Sequence, residues 1–248
     1  LLKPTWGAEK WILEGWNALN SDEKGVVTKR MDALFSKGLP FKLKHDRMVY
    51  IYAFSLLAQL EVLAIQVPLK FEATMPTLEF KQRMHTQLMD EVFHGMVFTR
   101  ILYELITPYA LPPAYNEEIE TLCNFIREED CPKVAVVLLN LVAEAWIEEL
   151  FRAYDKADIA STVFSTILAD EHRHVCEADL YREIGLPTLE ILKSKLAVLE
   201  EQLLSNLLFN YPYMNAMMAL LGMEGLEAFY DCLDKKHHSQ LEKLKLSP

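Results

Sequence analysis

Glycine is scarce in this chain, with 8 residues in 248, and clusters of turn residues are few, which argues against a β-rich or doubly wound fold. Cysteine is nearly as rare. Cys123, Cys131, Cys176 and Cys232 are scattered with no Cys-x-x-Cys pair, so they read as buried thiols of a reducing compartment, not as a disulfide frame or a zinc site. Positive charge is also short: 25 Lys and Arg face 36 Asp and Glu, for a net charge of −11. Such a surface repels phosphate backbones and anionic lipid, so neither nucleic acid nor a membrane is expected as a partner. No secretory leader is visible and a cytoplasmic location is expected. The chain opens on Leu1 and not Met, which leaves open both a preceding N-terminal segment and targeting.

What is plentiful is apolar sequence, at 51% of residues, enough for a sizeable core. It falls into long helical runs between Pro and Gly punctuation. Helices are expected over about Ser21–Ser36, Asp46–Val67 (stopped by Pro68) and Thr77 to just before Pro108. A proline-rich connection, Pro108–Tyr115, precedes a short helix at Glu117–Arg127. Pro132 suits the first turn of a helix running to Tyr154. Asp158 is placed to cap the next one, which should end at Gly185 and Pro187, and further helices fill Thr188–Leu246. With no low-complexity linker, the expectation is a single all-α domain over 1–248. Met48–Val67 is long enough to span a bilayer, but Gln59, Glu61 and Gln66 interrupt it. A core helix of a bundle explains it better.

Two glutamates stand where apolar residues belong. Glu61 lies within that run, and Glu144 within Val134–Ile147. A carboxylate buried alone costs several kcal/mol or more, so each must be protonated, paired or bound to metal. Two other helices carry Glu-x-x-His, as Glu91 with His94 and Glu171 with His174; positions i and i+3 share a helix face and can grip one ion. The order is Glu, Glu-x-x-His, Glu, Glu-x-x-His. Within each half the spacing is roughly 30 residues, enough to run down one helix and back along the next. The halves therefore repeat as two helical hairpins with the same ligand pattern. Carboxylate and imidazole donors suit iron or manganese better than copper.

This pattern resembles the ferritin-like di-iron carboxylate superfamily over roughly Asp46–Gly185, and Asp170-Glu171-His172-Arg173-His174 is similar to its oxidase and oxygenase branch. The resemblance implies a ferritin-like four-helix bundle of helices near 46–67, 77–107, 132–154 and 158–184, with additional helices at both ends. It implies two iron ions, with manganese or a mixed Mn/Fe pair admitted by the same donors. Glu61 and Glu144 would be terminal or bridging ligands, and His94 and His174 would bind one iron each. Asp90 would hydrogen-bond His174, and Asp170 would hydrogen-bond His94, with Arg173 buttressing both aspartates. Phe98 stands where radical-generating relatives carry tyrosine, Glu148 where hydroxylases carry threonine, and Ile167 where aminobenzoate N-oxygenases carry histidine.

The expected activity is oxidation of a small apolar organic substrate by dioxygen, through hydroxylation, desaturation or N-oxygenation, with a ferredoxin or reductase as electron donor. A ferroxidase, iron-storage or peroxide-scavenging protein is the alternative, and a homodimer remains open. Asn140, one turn before Glu144, is expected to hydrogen-bond a ligand carboxylate or to be an isolated buried amide. Glu148, one turn beyond Glu144, is expected as an extra ligand or proton donor, or as a side chain reaching solvent. His85, His172, His237 and His238 read as solvated surface.

Overall fold

Apolar residues recurring at helical spacing leave the backbone no better partner than itself, and the chain folds accordingly. A computed structural model describes residues 8–178, 185, 187 and 189–245, and among them there is no strand. The helices are α1 (Ala8–Ala18), α2 (Ser21–Phe35), α3 (Arg47–Phe71), α4 (Leu78–Ile106) and α5 (Glu117–Glu128). Then follow α6 (Pro132–Val136), a π-helical segment (Val137–Ala143) and α7 (Glu144–Lys156), which run on without a break. After them come α8 (Ser161–Ala178), α9 (Leu189–Leu199), a second π-helical segment (Glu200–Leu204), α10 (Ser205–Leu208) and α11 (Tyr211–Lys245).

Two pairs of helices form the centre. Short connections return α4 along α3 and α8 along α7, and the pairs meet where α4 packs on α8 and α3 on α6. Buried side chains run along α3 almost without interruption from Tyr50 to Pro68, including Phe54, Leu57, Leu60 and Leu63. At about 1.5–3 kcal/mol for each large apolar side chain, this helix anchors the core. Its neighbours are α4, α5, α1 and α11, so the run long enough for a bilayer is covered by protein.

Some boundaries depart from expectation. Pro68 does not stop α3, which continues to Phe71; a proline forfeits only one ladder hydrogen bond, and the Glu72 N–H still closes onto the Pro68 carbonyl. Asp158 does not cap α8. It takes a left-handed φ of 55°, pairs with Lys44, and α8 begins three residues later. The expected stop of α8 runs through 179–184, outside the described residues, although Gly185 has the positive φ (77°) of a helix-ending glycine. Nor are all four thiols buried: the fold buries Cys123 but leaves Cys176 and Cys232 exposed.

No helix is expected from the sequence before Ser21, yet α1 is well formed. A Cβ on Gly15 would come within 2.6 Å of Val92, so α1 lies unusually close to α4. Gly95, next to His94, meets Ile12 of α1 in the same way, a Cβ there reaching 3.1 Å. In contrast α2 buries a single residue, Val27. Its start is fixed by a capping box, in which Asn20 accepts from Glu23 N–H at 3.1 Å and donates from its own N–H to the Glu23 carboxylate at 2.8 Å.

Candidate metal centre

Each central helix turns one face inward, and on those faces acidic and imidazole side chains stand where the core would otherwise be apolar. Glu61 comes from α3, Glu91 and His94 from α4, Glu144 from α7, and Glu171 and His174 from α8. All six are buried, none more than 2% exposed. Their donor atoms fall into two groups, Glu61, Glu91, His94 and Glu171 in one and Glu91, Glu144 and His174 in the other. Within each group the atoms lie no more than 4.8 Å apart. Glu91 belongs to both, so it is the residue the two groups share.

His94 Nδ1 is ringed by Glu171 at 3.0 Å, Glu91 at 3.4 Å and Glu61 at 3.6 Å. His174 Nδ1 lies 2.9 Å from Glu91 and 3.7 Å from Glu144. None of these contacts has the length and alignment of a hydrogen bond from the ring nitrogen. Both Nδ1 atoms, Glu61 Oε1, Glu91 Oε1 and Glu144 Oε2 are buried polar atoms without a hydrogen-bond partner. Such atoms are costly singly, and five of them on the residues of these two groups fit bound cations, which carboxylate oxygens and imidazole nitrogens can ligate. The donor set therefore fits two divalent ions.

Behind the donors the histidines are held from the other side. His94 Nε2 is 3.1 Å from Asp170, and His174 Nε2 is 3.4 Å from Asp90, each aspartate coming from the opposite motif. An acceptor at Nε2 fixes the tautomer that leaves Nδ1 free to face the cluster. Arg173 donates to Asp90 and, at 3.1 Å, to Asp170. Asn140 does not touch a ligand carboxylate. Its amide donates to Gln87 at 2.8 Å, and Gln87 donates to Glu144 Oε1 at 2.6 Å, so Asn140 acts through Gln87. The π-helical segment carries Asn140 and ends beside Glu144. One wide turn of this kind shifts the register of the helix beyond it, which is why such segments recur at functional sites.

Electrostatics follow from the crowding. Burial pushes Glu61 and Glu144 well above the usual carboxylate range, the neighbouring histidines only partly offsetting it, and Glu171 is raised by burial and by Glu91. Burial would raise Glu91 as well, but His174 and His94 pull it far down. Both histidines resist charging because they are buried, yet the carboxylates and aspartates around them raise them well above their ordinary value. The metal-free cluster therefore holds protons where it would hold metal.

Glu148 is neither solvated nor part of either group. It is fully buried, accepting from Arg152, from Lys236 at 3.1 Å and from His172 at 3.1 Å. Burial alone would raise its carboxyl, but hydrogen bonds from Arg152 and Lys236 hold it below the usual range. It is thus a charged acceptor with no proton to give at neutral pH. His85 is not free surface either, lying between Glu72 at 2.8 Å and Glu23 at 3.0 Å. His237 packs edge-on against Trp146. His172, although more than half exposed, is engaged by Glu148.

Sequence reasoning missed two residues. Gln87 stands one turn before Glu91 on the same face, a signal that was available. Arg30, from α2, donates to Asp90 at 3.0 Å and to Asp170, and no local pattern announces it. The chain matches no protein-family model, no curated protein and no solved structure.

Proposed function

We propose that this protein is a ferritin-like, non-haem di-iron enzyme that activates dioxygen and oxidises a small apolar organic substrate. One observation carries the reading: six side chains able to ligate metal, from four packed helices, converge in a buried core, with five donor atoms left unsatisfied by protein. The doubled motif and the paired helices support the ferritin-like arrangement, and the same donors admit manganese or a mixed pair. A reduced metal pair held here supplies Lewis acidity and the electrons that dioxygen reduction requires.

The chain's own residues have defined tasks. Glu91, present in both groups, would link the two ions, while Glu61 with Glu171, and Glu144, would complete one ion each beside His94 and His174. Asp170 and Asp90 hold the imidazoles by their distal N–H. Gln87 occupies Glu144 Oε1 and leaves Oε2 available. The packed apolar wall of α3 and α4 excludes bulk water, which strengthens every charge interaction inside. Inserting one oxygen atom into a C–H bond while the other leaves as water takes two electrons and two protons from outside. A ferredoxin or a reductase is therefore the partner this reaction calls for.

The test is iron content together with oxygen uptake. Protein prepared with ample iron should hold two ions per chain, and its reduced form should consume dioxygen faster when a fitting apolar substrate is present. Many ions per chain would instead support storage, and none would end the metal reading.

A further inference from the structure

The two halves of the repeat differ at one informative position. The second motif reads Asp170-Glu171-His172-Arg173-His174, and the first reads Asp90-Glu91-Val92-Phe93-His94, so the counterpart of Arg173 is Phe93. Only one guanidinium therefore comes from the repeat, although two aspartates need support. The second comes from outside it. Arg30 of α2 lays its guanidinium 3.8 Å over the Phe93 ring. From there it donates through Nη1 to Asp90 Oδ1 at 3.0 Å and through Nη2 to Asp170 Oδ2. Arg173 donates to the other two oxygens, Asp90 Oδ2 and Asp170 Oδ1. Two guanidinium groups and two carboxylates close a ring in which every aspartate oxygen has its own arginine, and two of those oxygens also face the histidines.

Resting on the metal-centre reading, we infer that Arg30 is a positioning residue for that centre, supplying from α2 the guanidinium that the first motif lacks. Charge supports this. Four glutamates and two aspartates carry six negative charges when ionised. Two divalent ions with Arg30 and Arg173 match them, and without Arg30 one buried charge stands uncompensated. Geometry supports it as well. A planar fork can bridge two carboxylates, whereas a lysine ammonium is a point charge that satisfies one. Arg30 acts on the metals only through Asp90 and Asp170 and the imidazoles these orient.

The test uses the full chain loaded with cobalt(II), whose absorption reports binding and whose paramagnetism shifts the imidazole N–H signals. Three variants are compared with wild type: Arg30→Met, Arg30→Lys, and Val27→Ala, which loosens the packing of α2 without touching the aspartates. Arg30→Met should weaken cobalt binding by about 10–100-fold, the usual loss for an outer partner of a metal ligand, and should speed solvent exchange of the histidine N–H. Arg30→Lys should recover part of the affinity, and Val27→Ala should bind as wild type does. Wild-type affinity and exchange in Arg30→Met would overturn the assignment while leaving the metal centre intact. So would an equal loss in Val27→Ala, since packing of α2 would then account for the effect. Wild-type protein that takes up no cobalt would overturn the metal-centre reading and this inference with it.

Discussion

Replacing Glu148 with glutamine separates a structural charge from a chemical one. The substitution keeps the side chain's volume and its ability to accept one hydrogen bond but removes the charge on which three donors converge. Those donors differ in what they lose. The Arg152 side chain is 48% exposed and that of His172 61%, so both can return to water at little cost. Lys236 is only 25% exposed and ties α11 to α7 across 88 residues of sequence. A hydrogen bond to a charged group contributes about 1.5–3 kcal/mol, and once it is lost Lys236 keeps only the more distant Glu149 carboxylate, at 3.8 Å, so Glu148→Gln should cost about 2 kcal/mol. For a chain of this size that is a fall in melting temperature of about 4–8 °C. Lys236→Met should show a coupling of about 1 kcal/mol or more with Glu148→Gln in a double-mutant cycle, while Arg152→Met should cost less than about 1 kcal/mol. Metal content should not change, because Glu148 belongs to neither donor group. A melting temperature within about 1 °C of wild type, or loss of metal, would refute the reasoning.

Three further outcomes are expected. Glu91→Ala should lose both ions by elemental analysis, whereas His94→Ala or His174→Ala should lose one, since only Glu91 is shared between the two groups; equal losses in all three would show that it is not. Gln87→Leu leaves Glu144 Oε1 and the Asn140 amide unpartnered, so metal affinity should fall about 10–100-fold with the fold retained, and an unchanged titration curve would remove Gln87 from the site. The melting temperatures of metal-bound and metal-free protein should diverge as pH rises from 6 to 8. The sign comes from the raised groups: His94 and His174 contribute stability that is complete below their ordinary value of 6.5 and is lost as pH climbs through the raised one. Glu61, Glu144 and Glu171, raised from 4.5, become a growing burden over the same climb. Glu91 and Asp170, pulled low, act oppositely but only in acid, and metal-bound ligands have no such protons to lose. A gap that stays constant across this range would contradict the proton count.

The all-helical build and the six inward-facing donors are legible in the sequence alone, because both are periodic properties. An apolar run at helical spacing has one stable partner, and a carboxylate within it, as at Glu61 or Glu144, is too costly to be idle. The i, i+3 pairs Glu91–His94 and Glu171–His174 are legible for the same reason: a helix fixes their common face. What no local rule reaches is contact between distant segments. Glu148 sits one turn from Glu144 in sequence, yet Lys236 from α11 claims it as a buried counter-ion. Asn140 is visible as an amide near Glu144, but only packing inserts Gln87 between them. Helix α1 is not legible because its fit depends on Gly15 and Gly95 allowing α1 and α4 to approach, a fact about two surfaces together. Arg30 is the extreme case, an arginine on a weakly apolar helix whose role exists only because folding carries it over Phe93 to the two aspartates. Periodicity chose what faces inward, and three-dimensional packing chose which charges meet there.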